Sequence, residues 1–394
     1  MNVPRATPRP KIAFVVTASC SLGFLAGQLE YLRSQGFDVS VISSAGPEQD
    51  ATRQEGASVF TVSMEREIAP AKDLLSLWRL WRLMRRIRPD LTIVGTPKAG
   101  LLGGLASLLA GVPKRIYVLH GLRLETTVEW KRRLLAGCEW LACHCAHNVR
   151  CVSRSLRARA IELGLVAPDR CSVVGEGTSN GVQIDRWRRT PEAEATARQT
   201  RECLRIPPDA PVVGFVGRLT RDKGIVDLYG AFIRLQPVYL DLRLLLVGDF
   251  EAGDPVTPAL RAQIVADSSV IRAGFVTDVA PYYWAMDVLA LPTYREGFGN
   301  VCVEAQAASI PVVTTDSTGV IDAIIDGVTG IRVPVGDVEA LTAALGRLLG
   351  DPLLRARMGQ AGCAWVEQNF ERKTVWKNLL ANYRSILQSA PVNH

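Results

Sequence analysis

The sequence predicts an α/β protein made of two Rossmann-like domains that face each other across a cleft. Three observations carry that expectation. Two successive sets of short β-branched runs are separated by helix-length segments, a polar Pro-containing stretch divides the sets, and 394 residues suit two domains better than one core. In the first set the runs are KIAFVV (11–16), VSVIS (39–43), LTIVG (91–95), RIYVL (115–119), VRCVS (149–153) and CSVV (171–174). Strands alternating with helices argue for βαβ units in a parallel sheet. The stretch GVQIDRWRRTPEAEATARQTRECLRIPPDAP (181–211) interrupts the pattern. A second set follows: VVGFVG (212–217), LRLLLVG (242–248), VIRAGF (270–275), DVLALP (287–292), IPVVTT (310–315) and GIRVPV (330–335). We therefore expect domains at 1–190 and 191–369. A closing helix over 370–394 carries Val375, Leu379, Leu380 and Tyr383 at helical spacing and is available to pack back on the first domain.

Composition narrows the class. With 48% hydrophobic and 22% charged residues and no polar low-complexity tract, the chain reads as globular rather than disordered. Its longest apolar stretch, AGLLGGLASLLAGV (99–112), is shorter than the roughly 20 residues that cross a bilayer, so a buried helix fits it better. The proline-broken lead MNVPRATPRP precedes too few apolar residues for a signal peptide, which predicts a cytoplasmic protein. Nine cysteines without an export signal read as reduced thiols. The run Cys143, His144, Cys145 and His147 lacks a second ligand pair at zinc-site spacing and reads as buried helix.

Net charge is +7 and uneven: residues 1–200 hold 28 Lys/Arg against 18 Asp/Glu, and 201–394 hold 18 against 21. The first half is built to face something anionic. In LLSLWRLWRLMRRIRP (74–89), Trp78 and Trp81 interleave with Arg79, Arg82, Arg85, Arg86 and Arg88. This is either a core-packed helix with a solvated basic face or an interfacial helix on anionic lipid; WKRRLL (130–135) and the charge excess support the second. No nucleic-acid-binding motif accompanies the basicity, so we expect no nucleic acid partner.

The chemistry is expected at the carboxyl ends of the strands, where open parallel sheets bind ligands. DVLALP is followed there by TYREGFGNVCVEAQAAS, with Glu296 and Glu304 eight positions apart. On one helix these carboxylates would lie about 12 Å apart along the axis, beyond the roughly 5–9.5 Å of an acid/nucleophile pair acting on a glycosidic bond. They must do different jobs. Gly297 and Gly299 suggest a loop whose backbone approaches something closely, with Asn300 as helix cap, and such a helix entrance offers N–H groups to an anion. Glu296 then lies at the anion, and Glu304, one turn inside, reaches a hydroxylated group further along the same ligand. GFVGRLTRDKGI (214–225) supplies the cations: Arg218 can grip phosphate bidentately, Lys223 as a point charge.

G-R-L-x-x-x-K-G, followed about 80 residues later by E-G-F-G-N-x-x-x-E and PVVTTDSTGVIDAIIDGVTGIRVP, resembles the retaining glycosyltransferases of family four, which have the GT-B fold. GTSNGVQIDRW (177–187) is similar to their N-G-V-D stretch, and the resemblance covers nearly the whole chain. It implies that Arg218 and Lys223 hold the diphosphate of a nucleotide sugar, that Glu296 contacts the donor sugar, and that Glu304 binds the ribose. Backbone groups of Gly297, Phe298, Gly299 and Asn300 would line sugar and phosphate, and Val276 and Thr277 would lie near the base. It also implies retention of configuration, with the departing phosphate taking the acceptor proton. No Asp-x-Asp occurs in the chain, so we expect no metal and no cofactor beyond the nucleotide sugar.

In the first half, His120 is placed either to line the sugar site or as a satisfied structural histidine. Gly23, after the first strand, either approaches the donor phosphate or shapes a turn. Lys98 and Arg123, at strand ends, either meet an acceptor phosphate or are solvated loop charges. GTPKAGLLGG and HGLRLET look similar to capsule and exopolysaccharide enzymes. The expected reaction moves a hexose from a UDP-sugar to a saccharide or polyprenyl-linked acceptor, peripherally on the inner membrane face. A nucleotide-sugar 2-epimerase and a non-catalytic sugar-nucleotide sensor are the alternatives. Two positions depart from the family: Ser309 stands where glycine is usual, and Asp322 where glutamate is frequent.

Overall fold

The structure, a computed structural model, describes residues 9–65, 69–127 and 129–389. Most of the proline-broken lead and the last five residues of the 370–394 segment lie outside the described residues. The chain forms two compact units, residues 1–180 with 373–394, and 181–372.

In the first unit the order is β1 (Lys11–Val15), α1 (Gln28–Ser34), β2 (Asp38–Ser43), α2 (Glu48–Gln54), β3 (Ser58–Thr61), α3 (Pro70–Ile87) and β4 (Leu91–Gly95). Then come α4 (Pro97–Leu109), β5 (Lys114–Leu119), α5 (Glu129–Cys145), β6 (Asn148–Cys151), α6 (Arg154–Glu162) and β7 (Cys171–Val173). The strands pair in parallel in the order β3-β2-β1-β4-β5-β6-β7. β4 and β5 are buried at every position, as central strands covered on both faces must be, and so they read as mainly apolar runs, broken only by Thr92 and by the opening Lys114 and Arg115 of β5. β3 was not expected. It is a half-buried edge strand, SVFT, whose ends are exposed and whose pattern carries no apolar run. α4 is buried along Ala99, Gly100, Leu102, Gly103, Gly104, Ala106 and Ser107, which accounts for its apolar length.

The second unit runs α7 (Pro191–Cys203), β8 (Val212–Val216), α8 (Ile225–Leu235), β9 (Arg243–Val247), α9 (Pro258–Ala266), β10 (Val270–Gly274) and α10 (Ala280–Trp284). It continues with β11 (Val288–Leu291), α11 (Asn300–Ala307), β12 (Val312–Thr315), β13 (Gly330–Val333), α12 (Val338–Gly350) and α13 (Pro352–Phe370). Its sheet is parallel in the order β10-β9-β8-β11-β12-β13. The chain then enters α14 (Arg372–Gln388).

The division at 180/181 precedes the expected 190/191. The apolar side chains after residue 181 need burial and find it in the second unit: Trp187 packs edge-on to Tyr283 at 5.3 Å, and the Trp284 indole donates to the Trp187 carbonyl at 3.0 Å. α14 sits on the first unit through buried Val375, Leu379, Leu380 and Tyr383, and the Trp376 indole donates to Asn180 Oδ1 at 2.6 Å.

Each sheet reverses its strand order once, between β1 and β4 and between β8 and β11. Connections leave such a switch point to opposite faces, opening a crevice beyond the carboxyl ends of the two strands.

Candidate active site

In the second unit, the two loops that leave the switch point are the ones bearing the predicted residues. After β8, a short 3-10 turn over Arg221–Lys223 leads into Gly224, which has φ of 73° and precedes α8. A Cβ at Gly224 would come 1.8 Å from the carbonyl oxygen of Pro292, so only glycine lets this loop lie against the one that follows β11. The contact of the loops brings Lys223 to Glu296: the ammonium donates to Oε1 at 2.5 Å, with 13% and 19% of the two side chains exposed.

Asp222 ties the same loops together. Its side chain is 3% exposed and takes hydrogen bonds from the Thr220 hydroxyl at 2.5 Å, Arg295 at 2.9 Å and Arg218 at 3.4 Å. Its backbone carbonyl accepts from Tyr294 N at 2.9 Å and Thr293 Oγ1 at 3.1 Å. Burial pushes this carboxyl up, but Thr220, Lys223, Arg295 and Arg218 together hold it below the usual carboxylate range. Arg218 also donates to Glu251 at 3.3 Å. Three cations, Arg218, Lys223 and Arg295, thus converge from two loops, each on a carboxylate partner that an anionic ligand would replace or share.

α11 begins directly behind this cluster. Its cap is Gly299 in the left-handed region (φ 85°), not Asn300, which is the first helical residue; the cap makes no side-chain bond. Glycine is the residue that takes this conformation freely. The Phe298 ring is buried against Phe370 at 5.2 Å, turned away from the loop's backbone face. Glu304 lies one turn into α11, where Tyr283, on α10, donates to Oε2 at 2.9 Å. Part of the Glu304 residue remains open, but its carboxyl is enclosed by protein, and burial pushes it up to about 7 against the hydrogen bond from Tyr283 and the charge of Arg186. Val276 and Thr277 follow β10 beyond the exposed Phe275, half-buried and exposed respectively.

In the first unit the switch-point loops meet through hydroxyls: Thr17 Oγ1 and Thr96 Oγ1 lie 2.7 Å apart, and Ala99 N donates to Thr17 Oγ1 at 3.1 Å. Thr96 has φ of 70° and ψ of 146°, a conformation costly for a residue with a Cβ. His120, just past β5, stacks on Phe24 at 5.2 Å and shares a hydrogen bond from Nδ1 to Ser179 Oγ at 3.1 Å. Burial, with the charge of Arg150, lowers its pKa to about 4, so the ring is neutral at ordinary pH. Gly23 lies in the 3-10 turn Ser19–Leu25 that carries Phe24. Lys98 donates to Asp73 at 2.8 Å in a largely buried ion pair, and Arg123 is exposed at the start of a 3-10 turn. His144 is exposed and stacks on Trp140, while Cys143 and Cys145 are buried, which divides the cluster expected to be wholly buried.

Two family models match, one described as glycosyl transferases group 1 over residues 210–351 and one as glycosyl transferase 4-like domain over residues 24–177. The capsular polysaccharide biosynthesis glycosyltransferase CapM of Staphylococcus aureus is 34% identical over 380 residues, covering 96% of this chain and 98% of the relative. The chain belongs to glycosyltransferase family four. An Escherichia coli relative, UDP-Gal:alpha-D-GlcNAc-diphosphoundecaprenol alpha-1,3-galactosyltransferase, is 25% identical over 83% of this chain and 84% of its own. Anabaena HepE, solved with UDP and glucose, superimposes with a TM-score of 0.80 at 22% identity over 95% of this chain and 100% of that one; this likeness supports the GT-B fold.

For a glycosyltransferase of this family, the site as read from sequence lacked three members. Asp222 was legible as the single acid inside the basic run Arg221–Lys223, and Arg295 as the neighbour of Glu296. Tyr283 had no local signal, since it reaches Glu304 only through the packing of α10 on α11.

Proposed function

We propose that this glycosyltransferase is a retaining hexosyltransferase that moves sugar from a UDP-sugar to a lipid-linked or growing saccharide in surface polysaccharide assembly. The observation that carries the reading is the Lys223–Glu296 contact at the switch point, with Arg218 and Arg295 beside it and the start of α11 behind. A diphosphate laid there meets cations where negative charge grows as the sugar leaves, and preorganised cations stabilise that charge best. The Glu296 carboxylate, released from Lys223 by the phosphate, turns to a sugar hydroxyl, and Glu304 accepts from the ribose hydroxyls.

In the reaction the bond from the sugar C1 to the β-phosphate oxygen breaks and a bond from the acceptor oxygen forms on the same face. The acceptor proton passes to the departing phosphate. Basic side chains and the helix entrance supply the charge stabilisation a metal gives elsewhere, so transfer is expected to survive EDTA. The capsular role of CapM and the UDP-galactose donor and diphosphoundecaprenol acceptor of the Escherichia coli galactosyltransferase support the polysaccharide role, the UDP donor and the lipid diphosphate acceptor.

The test incubates purified protein with radiolabelled nucleotide sugars and a membrane lipid extract, with and without EDTA. The expected result is a labelled lipid-extractable saccharide, reduced at least about 10²-fold by Lys223→Ala with the circular dichroism spectrum unchanged. Isomerised UDP-sugar formed without acceptor would instead identify a 2-epimerase, and binding without turnover a sensor.

A further inference from the structure

A cation is buried in the first unit without a counter-charge. Arg150, on β6, is 6% exposed. One guanidinium N–H donates to the Tyr383 hydroxyl at 2.8 Å, and the group lies 5.4 Å from the centre of that ring; among the described residues no carboxylate pairs with it. Arginine keeps its charge at any physiological pH and carries five N–H donors. A buried charge left uncompensated costs more than one phenol and one ring face offset.

Arg150 lines a cavity of about 20 Å³ beneath the 3-10 turn Ser19–Leu25. Its walls are mostly apolar, among them Phe14, Ile93 and Val118, and the polar groups reaching it besides Arg150 are Ser21, Ser179 and His120. His120 adds no charge, being held neutral. The volume suits one water-sized particle and is too small for a whole phosphate or sulfate. What the site lacks is one negative charge, and what it has room for is one atom.

We propose that this cavity binds a single halide ion, chloride in the cell, held by the Arg150 guanidinium with the Ser21 and Ser179 hydroxyls as further donors. The ion supplies the missing counter-charge for a group that joins β6 to α14, so it stabilises the docking of the C-terminal helix on the first unit. His120 lines the same cavity, so the ion's arrival changes the electrostatic field at that ring.

The experiment titrates the full-length protein, dialysed into sodium gluconate, with sodium chloride at constant ionic strength, following the melting temperature and the imidazole NMR signals of His120. We expect a saturable rise in melting temperature and a saturable His120 shift, both reproduced by bromide and both lost in Arg150→Met. Should Arg150→Met fail to fold, Ser179→Ala is expected to weaken the halide response several-fold, and crystals grown with bromide to show an anomalous peak beside Arg150. A response that is non-saturable, equal for chloride and gluconate, or unchanged in the folded variant, or a cavity holding water only in the bromide crystals, overturns the site.

Discussion

Glu304 shows how a side chain's setting in the fold goes beyond what its position in the sequence announces. Its spacing from Glu296 marks it as a separate ligand group, but nothing local announces that α10 will enclose its carboxyl and raise it to about 7. Raised above its ordinary value of 4.5, this group contributes stability that is fully present below about 4.5 and lost as pH climbs through about 7. Binding runs the other way, because ribose hydroxyls need the ionised form. Affinity for UDP is therefore expected to fall about tenfold between pH 8 and pH 6. Calorimetric titrations of wild type and Glu304→Gln, which subtract the ligand's own phosphate ionisation, check this; the same slope in both proteins would reject it. Ser309 gives a second residue-scale lesson. It sits where the family prefers glycine, and its φ is 59°, in the left-handed region that glycine occupies at lower cost. The departure is tolerated strain in a loop, distant in kind from the diphosphate chemistry.

Among elements, the decisive arrangement is the pair of loops after β8 and β11. Gly224 allows them to touch, and Asp222 holds them in register through Thr220, Arg218 and Arg295. Replacing Asp222 by Asn leaves two guanidinium groups facing each other over a neutral amide. Because both arginines are partly exposed, we expect a stability loss of about 1–3 kcal/mol, less than for a fully buried pair, together with a raised donor KM. The lowered pKa of Asp222 gives the sign of the pH dependence: its contribution is present above the ordinary carboxylate range and lost as pH falls through its folded value. Urea unfolding and donor kinetics of Asp222→Asn at pH 7 test this; unchanged midpoint and KM would show that the loops hold themselves.

For the whole molecule, the uneven charge has a structural counterpart in the first unit. α3 buries Ser76, Leu80 and Met84 toward α4 and leaves Leu74, Leu75 and Trp78 in solvent, with Arg82 over Trp78 at 4.8 Å. α5, which also packs on α4, exposes Trp130 and Leu134 beside Lys131, Arg132 and Arg133. No helix among the described residues is long and apolar enough to cross a membrane. Exposed tryptophan and leucine among basic side chains suit the surface of an anionic bilayer, each arginine contributing about 1 kcal/mol there. Arg85→Ala with Arg86→Ala is expected to weaken sedimentation with phosphatidylserine-containing vesicles about 10- to 30-fold and leave phosphatidylcholine vesicles unbound, as before. Equal sedimentation with both lipids and both proteins would remove the membrane role.

Local chemistry by itself determined the alternation of strands and helices, the two-domain plan and the glycine-bounded loops bearing Arg218, Lys223 and Glu296, because buried parallel strands and loop glycines leave marks along a few consecutive residues. Packing alone decided the edge strand β3, the transfer of 181–190 to the second unit, the Asp222 clamp, the raised pKa of Glu304 and the solitary charge of Arg150. Each of those depends on which groups meet across long sequence separations, and burial, the quantity that sets charge and pairing, exists only once the chain has folded.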